Sequence, residues 1–170
     1  MRQRLLLLIL AILIPGGIYG YNYIHLEIPL TKIIESKPSY QGIQIHSYYY
    51  NFITPSKVIF DVMSVENASA SDIFSILAAF AKENKNNNYQ EIILAYKGNA
   101  KFIVSGDLFK KLATETTLNV PVNTIRYFIE NVKNLDGSNA FSPLPADDTS
   151  LLQVQFEDFS NRWYASEVNR

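Results

Sequence analysis

The sequence predicts an α+β fold: an N-terminal hydrophobic helix, then one small domain with an antiparallel sheet of two hairpins packed by amphipathic helices. Three observations support this class. Segments rich in β-forming residues come in two close pairs, other segments repeat apolar residues at helical spacing, and no regular series of βαβ units occurs. The last observation argues against a doubly wound parallel sheet.

Four segments have the composition of strands. Residues 43–52 and 57–65 are rich in Ile, Val, Tyr and Phe, and a turn containing Pro55 separates them. Residues 89–96 and 101–105 form a second such pair around a short glycine-containing turn. Each pair predicts one antiparallel hairpin.

Helical spacing marks the segments after the hairpins. Ser69-x-x-Asp72 resembles a capping box and predicts a helix that ends near Asn84. Asp107 opens another helix, and residues 124–132 fit either a helix or a strand. Apolar residues at intervals of three and four predict a last helix, and these residues are Leu152, Phe156, Phe159 and Trp163. We expect this apolar stripe to pack in the core. The alternative is that it forms an exposed face that binds a partner.

The N-terminus resembles a membrane-targeting segment. Arg2 and Arg4 precede an apolar run that extends, with an interruption at Pro15, to Ile24. The uncharged stretch 5–24 has the length of a membrane-spanning helix, about 20 residues. An uncleaved signal anchor and a cleaved signal peptide are therefore the two alternatives.

These patterns divide the chain into a leader, residues 1–24, a connector, residues 25–40, and an α+β domain, residues 41–170. Pro29 and Pro38 argue against a long helix across the connector. The basic N-terminus predicts a single pass through the inner membrane with a cytoplasmic N-terminus and a periplasmic domain. Cleavage would instead release a soluble periplasmic or secreted domain.

Composition narrows the classes of function. The chain has 15 basic and 16 acidic residues and no cysteine. A slightly acidic chain argues against nucleic acid as a partner, and the missing thiols exclude disulfides and thiolate catalysis. No phosphate-binding loop or nucleophile elbow occurs, and the two histidines lack metal-site spacing. We therefore expect no cofactor, no metal and no catalytic residues.

Four residues of the first hairpin form the best candidate surface for a ligand or a partner: Asp61, Tyr48, Tyr50 and His46. Asp61 alternates with core residues and should face away from the core, where a simple exposed position is its plainest interpretation. At least one of three consecutive tyrosines at 48–50 should be exposed or lie in a groove.

Two hypotheses of function remain. The first is a membrane-anchored envelope protein that binds another protein, of the adaptor or immunity type, without catalysis. It predicts the membrane as a partner through residues 1–24 and a protein partner of unknown identity. The alternative is an exported small-molecule or glycan-binding domain, or an enzyme that uses carboxylates, with a pocket beside the first hairpin.

Overall fold

The computed structural model describes residues 13–66, 69–116, 120–145 and 148–165. Helix α1 spans residues 13–35 and contains a π-helical turn at Tyr23–Glu27; a 3₁₀ turn follows at Pro38–Tyr40. The remaining elements are β1 (Ile43–Tyr50), β2 (Thr54–Val65), α2 (Ala70–Glu83), β3 (Glu91–Tyr96), β4 (Asn99–Ser105), α3 (Gly106–Glu115), α4 (Val122–Asn131) and α5 (Thr149–Trp163).

The four strands form one mixed sheet in the order β1-β2-β3-β4. The predicted α+β class and both hairpins are confirmed, with β1 antiparallel to β2 and β3 antiparallel to β4. The two central strands, β2 and β3, are parallel, so the sheet is mixed and the predicted antiparallel pairing holds only within each hairpin. Helix α2 makes this possible because it carries the chain from the end of β2 back to the start of β3, which a parallel pair requires.

One face of the sheet carries the core. Its side chains alternate along each strand and are buried: Ile43, Ile45 and Tyr49 on β1, Val58, Phe60 and Val62 on β2, Ile92, Leu94 and Tyr96 on β3, and Phe102 and Val104 on β4. The rings of Phe80 from α2 and Trp163 from α5 lie 5.5 and 6.0 Å from the Phe60 ring. Both helices therefore cover this face.

The C-terminal stripe is part of that core. Phe159 and Trp163 are buried, Phe156 packs partly buried against Phe74, and the Trp163 indole N–H donates to the Ala95 carbonyl oxygen at 3.0 Å. The alternative of an exposed partner-binding face on this helix is therefore wrong. The ambiguous segment 124–132 lies mostly in α4 and is a helix.

Helix α1 corrects the expected connector. It continues through Pro29 to residue 35, and its Leu26 and Leu30 are completely buried. Proline is tolerated because the π turn directly before Pro29 has already shifted the hydrogen-bond ladder. The apolar stretch therefore runs directly into a helical segment that packs on the domain.

The same helix bears on localisation. Among the residues that the structure describes, none of the helices combines the length and the apolar character needed to cross a membrane. This finding contradicts the prediction of a single-pass inner-membrane protein with a periplasmic domain. Residues 1–12 of the predicted leader lie outside the described residues.

Side-chain caps begin three of the helices. The predicted capping box is present at α2, where Ser69 Oγ accepts from the Asp72 N–H and Asp72 Oδ2 accepts from the Ser69 N–H. Ser105 Oγ accepts from Leu108 N–H at α3, and Asp148 Oδ1 accepts from Leu151 N–H at α5. Each cap satisfies one of the donors that a helix start leaves unpaired.

The capping box at α2 predicts a pH-dependent stability. Burial raises the pKa of Asp72, but the hydrogen bonds from the Ser69 hydroxyl and N–H, a hydrogen bond from Ser39 and the charge of Lys37 together outweigh it, and the net pKa is lowered. The stabilisation is then complete above the unfolded pKa, about 3.9, and is lost as pH falls through the lower folded value. We expect Asp72→Asn to reduce the free energy of unfolding by about 0.5 kcal/mol at neutral pH, because the negative charge at the helix start is lost.

Urea denaturation between neutral and strongly acidic pH measures this effect. The difference between wild type and Asp72→Asn should shrink as Asp72 becomes protonated. Glu83→Gln, an exposed acid at the other end of the same helix, is the matched control. A difference that stays constant over the whole pH range would contradict the role of the Asp72 carboxylate.

Candidate functional site

Strand β1 lies at an edge of the sheet, and helix α1 covers that edge. Asn22 Oδ1 accepts from the Tyr49 N–H at 2.7 Å, and Glu27 Oε2 accepts from the Ser47 N–H at 2.9 Å. Two outward-facing backbone donors of an edge strand are thus bound by side chains of a helix. An edge strand with unpaired donors would otherwise offer a template for another strand.

The π turn places both side chains on the same side of α1. In a regular α-helix, residues five positions apart point about 140° away from each other. Here the Ile28 N–H donates to the Tyr23 carbonyl oxygen, an i to i+5 bond that fits one more residue into the turn. Asn22 and Glu27 therefore both reach β1.

Asn22 also holds the turn between β1 and β2. Its Nδ2 donates to the carbonyl oxygens of Phe52 at 2.8 Å and Ile18 at 2.9 Å. Asn22 is buried, so each of these hydrogen bonds forms where water does not compete effectively. A single amide side chain thus joins α1, β1 and the turn that follows β1.

That turn has a strained backbone. Asn51 and Phe52 have φ angles of 50° and 62°, in the left-handed region. Glycine adopts this region readily and asparagine does so occasionally, but phenylalanine rarely does, so the strain lies at Phe52. The Phe52 N–H donates to the Tyr49 carbonyl oxygen at 2.7 Å, and the Phe52 ring stacks on Tyr48 with centroids 5.3 Å apart. This conformation leaves Phe52 48% and Ile53 66% exposed at the tip of the hairpin.

A groove of about 500 Å³ lies between α1 and the first hairpin. This volume is within the range of small-molecule sites. Its lining consists of Tyr19, Asn22, Tyr23 and Glu27 from α1, His46, Ser47, Tyr48 and Phe52 from β1 and its turn, and Asp61 and Met63 from β2. Three of the four residues predicted from sequence, His46, Tyr48 and Asp61, are therefore neighbours in one groove.

His46 is tied to the helix. Its Nδ1 lies 2.6 Å from Glu27 Oε1, and more than half of the His46 side chain is exposed, whereas about a fifth of the Glu27 side chain is. Glu27 therefore uses one carboxylate oxygen for the imidazole and the other for the Ser47 N–H. This arrangement fixes the carboxylate at one end of the groove.

Asp61 faces away from the core, as predicted, but it is not exposed. It is only 3% accessible, and both of its carboxylate oxygens accept from the Gly98 N–H, at 3.0 and 3.1 Å. Oδ2 also accepts from the Tyr48 hydroxyl at 3.2 Å. The expectation of a simple exposed residue is wrong because the turn between β3 and β4 folds over the carboxylate. Asp61 first of all attaches that turn to β2.

The three consecutive tyrosines have different environments. Burial, together with the charge and the hydrogen bond of Asp61, raises the pKa of Tyr48 to about 12, so the hydroxyl stays protonated and donates. Tyr49 is buried beside Tyr21 and Tyr89. Tyr50 is exposed at the end of β1 and is absent from the groove lining.

Sequence reasoning missed Asn22, Glu27 and Phe52. The first two lie in segments interpreted as leader and connector, and their role depends on a π turn that has no simple sequence pattern. The turn was predicted at Pro55, which is wrong because the turn lies at residues 51–53 and Pro55 belongs to β2. Two left-handed positions usually favour glycine at the second, as at Gly98 in the second hairpin, so Phe52 gave no such signal.

Metal ligands are not grouped in the part of the chain that the structure describes: no set of three or more His, Asp or Glu side chains there could hold an ion. The His25 ring packs on Tyr21 with centroids 4.2 Å apart, and His46 is paired with Glu27. The groove therefore offers aromatic faces, carboxylates and an imidazole as its recognition groups.

Comparisons with protein-family models, curated proteins and solved structures find no match for this chain.

The Asp61 contacts predict a structural cost of its removal. Asp61→Ala leaves the Gly98 N–H and the Tyr48 hydroxyl without their acceptor, so we expect the free energy of unfolding to fall by about 1–3 kcal/mol. Tyr48→Phe removes a single hydrogen bond and should cost about 0.5–1.5 kcal/mol. Chemical denaturation of both variants and of the double variant measures the coupling of the two residues.

Two further observations complete this test. In Asp61→Ala the pKa of Tyr48 should fall, because the charge and the hydrogen bond of Asp61 both raise it and only burial would remain. NMR titration of labelled tyrosines reports that pKa. Tyr50→Phe is the matched control on the same strand. Additive effects of Asp61→Ala and Tyr48→Phe would contradict the direct interaction.

Proposed function

We propose that this chain is a protein-binding module and that a partner protein docks where α1 crosses the first hairpin. The proposal rests on one observation: large apolar side chains remain exposed on adjacent parts of the helix and the turn. We call them the aromatic surface, defined as Tyr19, Tyr21, Tyr23, Phe52 and Ile53.

The composition of the aromatic surface favours a protein partner. Tyrosine and phenylalanine are enriched in protein interfaces because their rings bury much area at a small cost in side-chain entropy. The tyrosine rings at positions 19 and 23 are stacked with centroids 6.3 Å apart, and the Tyr21 ring lies 5.8 Å from Tyr49. The surface is thus held in shape, before any partner arrives, by a contact between two of its own rings and by a contact with the buried Tyr49.

The strained turn supports the same proposal. A left-handed phenylalanine costs about 1–2 kcal/mol relative to an unstrained residue, and such strain concentrates at functional positions. Glycine at residue 52 would relieve the strain, yet the chain places an exposed ring there. Binding of that ring by a partner is a reason for this residue at this position.

The groove beside the aromatic surface supports the alternative function, a small-molecule site, because His46, Tyr48 and Asp61 line it together. General acid or base catalysis by Asp61 is the less favoured form of that alternative. Its carboxylate is buried and already bonded to Gly98 and Tyr48, whereas a catalytic group must reach the substrate proton.

Site-directed photocrosslinking in the native cells tests the proposal. A photoreactive phenylalanine analogue is placed at Tyr23 or Ile53 on the aromatic surface, and at exposed Val154 of α5 as the control position. We expect the same single protein to crosslink from both surface positions and not from Val154. No heterologous crosslink, or equal crosslinking from Val154, would contradict a partner at this surface.

Phe52→Gly separates binding from folding in the same experiment. We expect the free energy of unfolding to change by less than about 1 kcal/mol, because relief of the left-handed strain offsets the lost stacking on Tyr48. The yield of the crosslink at Ile53 should fall several-fold. An unchanged yield with a stable protein would show that Phe52 is not a binding residue.

A further inference from the structure

The groove between α1 and the first hairpin has the walls of a cation site. Two stacked aromatic pairs line it: Tyr19 with Tyr23 on α1, and Tyr48 with Phe52 on the hairpin. The face of an aromatic ring carries negative electrostatic potential and attracts a cation. Rings supplied from both sides allow a cationic group to contact more than one face.

The charges of the groove have the same sign preference. Two carboxylates line it, Glu27 at one end and Asp61 on the β2 side. Among its described lining residues none is a lysine or an arginine, and its imidazole, His46, is bonded to Glu27. Glu27 is partly accessible beside His46, so a charged group in the groove can approach it. An anion would meet repulsion here, whereas a cation gains from both the rings and the carboxylates.

The shape of the groove favours a long side chain over a compact ion. The Phe52 ring lies at the end where Asn22 binds the Phe52 carbonyl oxygen, and the Glu27 carboxylate lies five residues farther along α1, beside Ser47. Lysine and arginine combine an aliphatic stem with a charged head in this order. Phe52 also belongs to the aromatic surface, so a protein docked there would have its own side chains beside the groove.

We propose that the groove receives a lysine or arginine side chain of the partner protein. This inference rests on the proposed function, because it names the chemistry of the partner that docks on the aromatic surface. The aromatic surface supplies apolar contact area, and the groove supplies selection for a basic residue. A partner that presents a basic residue next to an apolar patch would satisfy both.

NMR titration of the full-length, ¹⁵N-labelled protein tests the inference without knowledge of the partner. The probes are N-acetyl-arginine methylamide, N-acetyl-lysine methylamide and the neutral N-acetyl-norleucine methylamide, which has a similar stem. We expect saturable shifts at the amides of Ser47, Phe52 and Met63 for the two cationic probes, with dissociation constants on the order of 1 mM. Norleucine should bind several-fold more weakly.

Tyr23→Leu tests the contribution of the rings. Leucine keeps the helix and an apolar side chain but removes the ring, so binding of the cationic probes should weaken about 2- to 5-fold. Tyr19→Leu provides an independent variant on the same wall. Tyr50→Leu, on β1 but outside the groove lining, should leave the affinity unchanged.

The outcomes separate this inference from the proposed function. Equal binding of norleucine, or no shifts at the groove with any probe, overturns the inference even if a partner crosslinks to the aromatic surface. Cation binding at the groove together with failure of all partner crosslinks overturns the assignment to a partner side chain. Selective cation binding that Tyr23→Leu weakens, together with a crosslinked partner, supports it.

Discussion

The structure depends on the fit between one irregular helical turn and one strand edge. The π turn at Tyr23–Glu27 lets Asn22 and Glu27 project together, and their oxygens meet the N–H groups of Tyr49 and Ser47. With α1 fixed in this way, Leu26 and Leu30 are buried and β1 keeps no exposed row of donors at these positions. Each part needs the other, because a regular helix would turn one of the two polar side chains away from the strand.

The proposed binding features follow from this docking. The groove exists only because α1 lies beside the hairpin, and the aromatic surface joins residues of the helix to residues of the turn. Asn22 determines where the two meet, since it binds the Phe52 carbonyl oxygen as well as the Tyr49 N–H. On the far side of β2, Asp61 performs a comparable task for the turn at Gly98. Buried polar side chains thus position both hairpin turns.

Local patterns in the sequence predicted the features that depend on neighbouring residues. The hairpins follow from β-forming composition, the start of α2 from its capping box, and the burial of Phe159 and Trp163 from helical spacing. Features that depend on distant segments were missed. The parallel pairing of β2 with β3 depends on the path of α2, and the burial of Asp61 depends on the turn that the second hairpin brings to it. Proline rules argued against a helix across Pro29 because they assume an unbroken α-helical ladder.

The substitution Asn22→Leu is the direct test of the docking of α1 on β1, because Asn22 is buried and its Oδ1 accepts from the Tyr49 N–H. Leucine has a similar volume and keeps the helix, but it offers no acceptor to the Tyr49 N–H. Amide hydrogen exchange, followed by NMR, measures the result at Tyr49, with the Phe60 amide in the sheet interior as the internal reference for an intact fold. The account predicts that Tyr49 loses its protection while Phe60 keeps it. Unchanged protection at Tyr49 would show that Asn22 does not hold α1 on the edge of β1.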